Sequence, residues 1–153
     1  MALQHPNVLT PPPAMFLGGM LVGYSLDNAL RLPTLATPYA SELSGLLFLI
    51  GIMLIVMAVW QLTRAKTTLL PHKAAKTLVT GGVFRLSRNP IYLGFISLYL
   101  AATVQWGSLG MAILLVPVIV VIQRHVIAAE EAFHEQQFAE QWTEYQSRVR
   151  RWF

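Results

Sequence analysis

Two stretches of this chain carry side chains of the kinds that hold or move charged groups. The first reads Leu78-Val-Thr-Gly-Gly-Val-Phe-Arg-Leu-Ser-Arg-Asn-Pro-Ile-Tyr-Leu-Gly94. Gly81 and Gly82 allow a tight turn and a close approach of backbone to a ligand. Arg85 and Arg88 add two fixed cations. Pro90 suits a helix start, where its missing N–H costs nothing, and this puts Asn89 near the capping position, able to hold free N–H groups. Free N–H groups at such a start also attract anions. Tyr92 offers an amphipathic ring to a membrane interface. The second stretch opens on Glu130-Glu131 and closes on Glu144-Tyr145-Gln-Ser-Arg148-Val-Arg150. Ionisable groups beside a membrane are costly when desolvated and are often functional. The plainer reading of both stretches is structural: membrane-flanking arginines, a capped helix, and a salt bridge that fastens tail to loop.

Other chemistries lack their residues. There are no cysteines, which removes disulfides, thiolate nucleophiles and Cys-ligated metals. His5, His72, His125 and His134 are scattered, with no HxxxH or HExxH spacing, so no metal site is expected.

The elements that must position these groups follow from composition. The 153 residues are 55% hydrophobic and 12% charged, against about 25% charged in soluble domains. Mean hydropathy is +0.53. A disordered chain, a nucleic-acid-binding arm and an ordinary soluble enzyme are excluded, and no nucleic acid is expected as a partner. The chain reads as all-α: a single integral membrane domain over 1–153, built as a polytopic bundle of about four transmembrane helices. A bilayer core of about 30 Å needs about 20 apolar residues per helix. The expected spans are 13–32, 43–63, 90–105 and 109–129. Residues 43–63 are free of charge, whereas the first span carries Asp27 and Arg31, four apart and able to pair or to lie at the interface. Residues 89–123 hold no charge, and one straight helix of that length would be about 52 Å long. Gln105–Ser108 therefore reads as the turn of a hairpin, with Pro117 inside its second helix. Met1–Thr10 has neither Lys nor Arg, so it lacks the basic start of a cleaved signal peptide and the first span is expected to stay.

Orientation follows from charge. Ten of the eleven basic residues flank the ends of spans two to four on one side, and Arg31 alone lies near the other. That basic side should be cytoplasmic. Both termini, the loop 64–89 and a C-terminal amphipathic helix over 130–153 then lie inside, with a bacterial inner membrane as the expected location. Phe138, Trp142, Tyr145, Val149 and Trp152 form an apolar stripe along that helix, to be packed on the membrane or on the protein's own loop.

The segment LVTGGVFRLSRNPIYLG resembles the signature of the isoprenylcysteine carboxyl methyltransferase and phospholipid methyltransferase superfamily. Glu130-Glu131 and the later Glu144-Tyr145-Gln-Ser-Arg148-Val149 follow in the family's order, and the resemblance covers about half the chain. It implies a membrane helix bundle whose loop and C-terminal helix form a cofactor pocket for S-adenosylmethionine. Matching position by position, the cofactor contacts are Lys76, Thr77, Leu78, Val79, Phe84, Asn89, Pro90, Ile91, Tyr92 and Glu130. Arg85, Arg88 and Glu131 are assigned catalytic roles, organising the loop or an anionic substrate head, and the acceptor is a lipophilic molecule reached among membrane lipids. Three positions depart from the family's pattern. Phe84 stands for a Tyr, Asn89 for a His, and Val126 where the eukaryotic carboxyl methyltransferases carry an Arg. Two other readings compete: a non-catalytic membrane adaptor of the same fold, and a small four-helix transporter with Asp27 as its membrane carboxylate.

Overall fold

The computed structural model describes residues 11–67 and 77–153, and all regular structure among them is helical. Helix α1 spans Pro12–Leu30, α2 Ala40–Arg64, α3 Pro90–Trp106, α4 Leu109–Val121 and α5 Ala128–Arg148. A 3₁₀ turn at Gly82–Arg85 precedes α3, and a π-helical turn at Ile122–Ile127 joins α4 to α5.

Two helical runs are long and apolar enough to cross a membrane: α2, and the continuous run Leu109–Arg148. Helix α3 is apolar but shorter, and Asp27 and Asn28 dilute the apolar character of α1. Only 17% of the most apolar window of α2 is buried within the bundle. Leu46, Phe48, Leu49, Met53 and Val56 all face outward. A soluble protein does not leave such a belt in water. This is a membrane protein, and the belt faces hydrocarbon.

Small residues let the helices close on one another, as membrane packing favours. A Cβ on Gly51 would stand 2.8 Å from the Gly94 carbonyl oxygen, so α2 and α3 touch backbone to backbone there. Ser97 Oγ donates to the Leu47 carbonyl at 2.7 Å, and Ser44 Oγ to Gln105 Oε1 at 2.7 Å. The expected hairpin turn is found: α3 ends at Gly107 and Ser108 caps α4, accepting from the Met111 N–H at 3.0 Å. Tyr99 O–H then donates to the Met111 carbonyl at 3.0 Å, closing the hairpin.

Asp27 does not pair with Arg31. Its carboxylate accepts from the Gly110 N–H at 2.7 Å and from Ser108 Oγ. The free N–H groups and positive end of α4 are a better partner than an arginine at the exposed end of α1. The transporter reading thereby loses its carboxylate to a helix cap.

The fourth span and the tail are not separate helices. The run continues through Pro117 and through the π turn into α5. It bends at Ala139, whose φ of 42° and ψ of −111° lie outside helical space. It stops at Arg148, short of the expected helix over 130–153, and Val149 is extended. The apolar stripe is accordingly divided. Trp142, Tyr145 and Val149 join Val83, Phe84 and Ala58 in one core cluster, with Phe138 packed against it. Trp152 turns to the other cluster, around Tyr92, Tyr99 and Ile127.

Candidate functional site

The loop after α2 is shaped from below. Gly82 has a φ of 56°, a region open to glycine, and starts the 3₁₀ turn. The Gln61 side chain from α2 supports it, its nitrogen 2.8 Å from the Gly81 carbonyl and its oxygen 3.2 Å from the Val83 N–H. Tyr145 O–H from α5 donates to the Phe84 carbonyl at 2.6 Å. Leu78, Val79 and Ile91 pack onto the cluster that Phe84 and Trp142 share. Helix α5 and the loop are therefore one unit: the tail packs on the protein's own loop.

Asn89 sits at the N-cap position of α3 but makes no side-chain cap. Its amide instead donates to the Arg151 carbonyl at 3.0 Å, where Ser87 Oγ also donates at 3.0 Å. The Arg88 N–H donates to the Arg150 carbonyl at 3.0 Å, and Trp152 Nε1 donates to Gln123 Oε1 at 3.1 Å. The extended tail thus offers its carbonyls to residues 87–89, and the Asn89 side chain is turned toward them and makes no cap with the free N–H groups of the helix start.

The two acidic residues have different partners. Glu131 binds Arg88 at 3.1 Å and Arg151 through two hydrogen bonds, one of 3.1 Å to Nε. Arg88 Nη1 also lies 3.0 Å from the Gln146 amide oxygen, and its guanidinium stands over the Trp142 ring at 5.7 Å. This is the fastening of tail to loop anticipated as the plainer reading. Glu130 instead accepts from Tyr92 O–H at 2.9 Å and forms no salt bridge among the described residues. Burial pushes its carboxyl up to about 7. The Tyr92 hydrogen bond opposes this rise and the Glu131 charge adds to it. Tyr92 is buried rather than interfacial.

The remaining expected residues fall as follows. Pro90 is fully buried at the start of α3. Arg85 and Thr77 are exposed, and Val126 is buried in the core. Lys76 lies outside the described residues. The structure brings Leu78, Val79, Phe84 and Ile91 together in one cluster and sets Glu130 against Tyr92. Sequence reasoning had no hold on Ser87, Gln61, Gln146 and Arg151, because each joins parts of the chain that lie far apart in sequence. His134 was passed over for want of a second histidine at metal-ligand spacing, although it shares the buried side of α5 with both glutamates.

Fold and site together define a helical membrane protein with a charged, aromatic-lined site at one end of its apolar helices. Residues 40–141 match the phospholipid methyltransferase family, and the chain belongs to that family. Methyl transfer is the family's reaction, so this is a membrane methyltransferase. The resemblance read from the motifs is borne out at the level of the family. No curated protein and no solved structure matches the chain.

Proposed function

We propose that the protein transfers a methyl group from S-adenosylmethionine to a lipophilic acceptor, as an isoprenylcysteine carboxyl methyltransferase-like enzyme. The observation that carries this reading is Glu130: a buried carboxylate with a tyrosine hydroxyl, and no cation, as its partner among the described residues. A desolvated anion of this kind suits a cationic ligand. S-adenosylmethionine carries an ammonium and a sulfonium. Phe84, Leu78, Val79, Ile91 and Trp142 give the apolar and aromatic wall that a purine requires. The unpartnered buried atoms Arg88 Nε and His134 Nδ1 mark polar capacity beside that wall, and the residues fit the cofactor.

When bound, the cofactor supplies a methyl group already activated on sulfur. Glu130 holds a cationic group of it, and Tyr92 fixes the carboxylate. The stretch from Leu78 to Val79, with Phe84, Asn89, Pro90 and Ile91, excludes water and sets the angle of approach. Such positioning is worth about 7–11 kcal/mol of barrier when alignment is near attack. Arg88 and Glu131 act as positioning residues that lock the tail onto the loop, and Arg85, exposed beside them, is free to meet an anionic head group. A cleft of about 550 Å³ between α1, α2 and α3, lined by Phe16, Leu17, Phe48, Phe95 and Leu98, supports an apolar acceptor reached from the bilayer. The topology that fits this reading has four spans and both termini cytoplasmic, in a bacterial inner membrane.

The test is calorimetric titration of S-adenosylmethionine into the purified protein in detergent and in lipid nanodiscs, beside Glu130→Gln. Saturable binding by the wild type, weakened at least tenfold in the variant, is expected. A folded wild type that binds no cofactor in either medium overturns the reading and favours the adaptor.

A further inference from the structure

His134 stands one helical turn beyond Glu130 and Glu131 on α5, and its neighbours Ala132, Glu135 and Gln136 are exposed while it is not. Its ring is held by aromatic neighbours: centroid distances are 5.1 Å to Trp142, 5.7 Å to Phe138 and 6.2 Å to Phe133. The bend at Ala139 is what returns Trp142 to this position, eight residues on. Trp142 and Phe138 pack in the cluster that holds Leu78, Val79, Phe84 and Ile91. His134 is therefore at the margin of the wall assigned to the cofactor.

Within that setting, Nδ1 of His134 is sealed from solvent and has no hydrogen-bond partner. Arg88 Nε shares this condition, and both side chains lie against Trp142. Buried polar atoms in folded proteins are nearly always satisfied. If packing alone were required here, a phenylalanine or leucine would meet it without a desolvated nitrogen. Burial holds the imidazole below its usual range, with the Glu131 charge pulling the other way, so the ring is neutral near pH 7. A neutral imidazole has one donor nitrogen and one acceptor nitrogen.

We propose that His134 is a ligand-binding residue of this site, its Nδ1 accepting a hydrogen bond from an N–H or O–H group of bound S-adenosylmethionine. The inference rests on the cofactor reading above and assigns it a contact that the motifs do not contain. It also accounts for the position of the bend: a straight α5 would carry Trp142 away from His134.

The experiment uses the full chain and S-adenosylhomocysteine, which keeps the amine, hydroxyl and adenine donors. Calorimetry compares the wild type with His134→Phe, which keeps an aromatic ring, and His134→Asn, whose amide oxygen can replace Nδ1 as an acceptor. Loss of one hydrogen bond predicts an affinity about tenfold weaker in His134→Phe, with most of it restored in His134→Asn. In histidine-labelled wild-type protein, the nitrogen-15 resonance of His134 Nδ1 should move during the titration and saturate with the binding isotherm. A His134→Phe protein that binds as the wild type does, or an Nδ1 resonance unmoved at saturation, overturns the inference and leaves the cofactor reading standing. A wild type that binds neither S-adenosylhomocysteine nor S-adenosylmethionine overturns both, and one that binds S-adenosylmethionine alone is titrated with that ligand, to the same criteria. Should His134→Phe fail to fold, the nitrogen-15 titration of the wild type decides by itself.

Discussion

Glu130 combines two requirements that oppose each other. A carboxylate kept from water binds a cation strongly, but it destabilises the ligand-free fold. With the folded value near 7 and an ordinary value of 4.5, the folded chain retains a proton that the unfolded chain has released. The stability that this one group contributes is therefore fully present below pH 4.5 and is lost as pH rises through 7, by about 3 kcal/mol at most. Glu130→Gln should abolish that slope, and in ligand-free protein at pH 8 it should melt above the wild type. Thermal melts at pH 5 and pH 8 check both statements. Ligand binding runs the other way: affinity for S-adenosylmethionine should strengthen as pH rises through 7 and level off above it, and isotherms at pH 6, 7 and 8 should show the rise. At this scale the sequence was legible where local chemistry named the outcome, as for Pro90 at the start of α3 and for an acidic residue that fastens tail to loop. It was not legible where one side chain can turn to different partners. Asn89 could cap the start of α3 through its oxygen, but its nitrogen donates to the Arg151 carbonyl, and only the folded tail sets that orientation.

Among the elements, α5 and the segment after it are fastened rather than merely packed. Glu131 and Arg88 are each only 12% exposed, and removing one partner of such a pair leaves a buried charge. Glu131→Ala should cost about 3 kcal/mol. Arg151, at 34% exposure, should cost about 1 kcal/mol on replacement by alanine. Denaturation of both variants in one detergent tests the order. Ala139 holds a positive φ that a side chain disfavours, so Ala139→Gly should stabilise by about 1 kcal/mol without loss of ligand affinity. A lower melting temperature in that variant would show that the bend is not held as described. The helices themselves were readable from apolar runs, and the hairpin turn from Gly107 and Ser108. The end of α5 was not, because Val149 and Trp152 continue the stripe that Trp142 begins. Periodicity does not register that the tail's carbonyls are claimed by Ser87 and Asn89.

For the whole molecule, the apolar belt of α2 and the one-sided basic residues make a joint statement about placement. An alkaline phosphatase fused after residue 36 should be active, and one fused at the C-terminus inactive, if ten basic residues hold their side of the membrane. The opposite pattern would invert the proposed topology. That the chain belongs in a membrane was legible from composition alone. That its acidic pair should divide, one carboxylate fastened to arginines and the other accepting from Tyr92, depends on helical phase. Here the turn at Ile122–Ile127 matters. It takes up one residue more than an α-turn, and each residue advances a helix by about 100°. The face that α4 shows to lipid and the face that α5 shows to the loop are thus set out of step by a single surplus residue. Deleting His125, which is exposed and within that turn, would remove no partner of either glutamate among the described residues, yet it would swing both away from Tyr92 and Arg88. The site is dialled in by a vernier: its calibration resides in a count of residues rather than in the identity of any one of them.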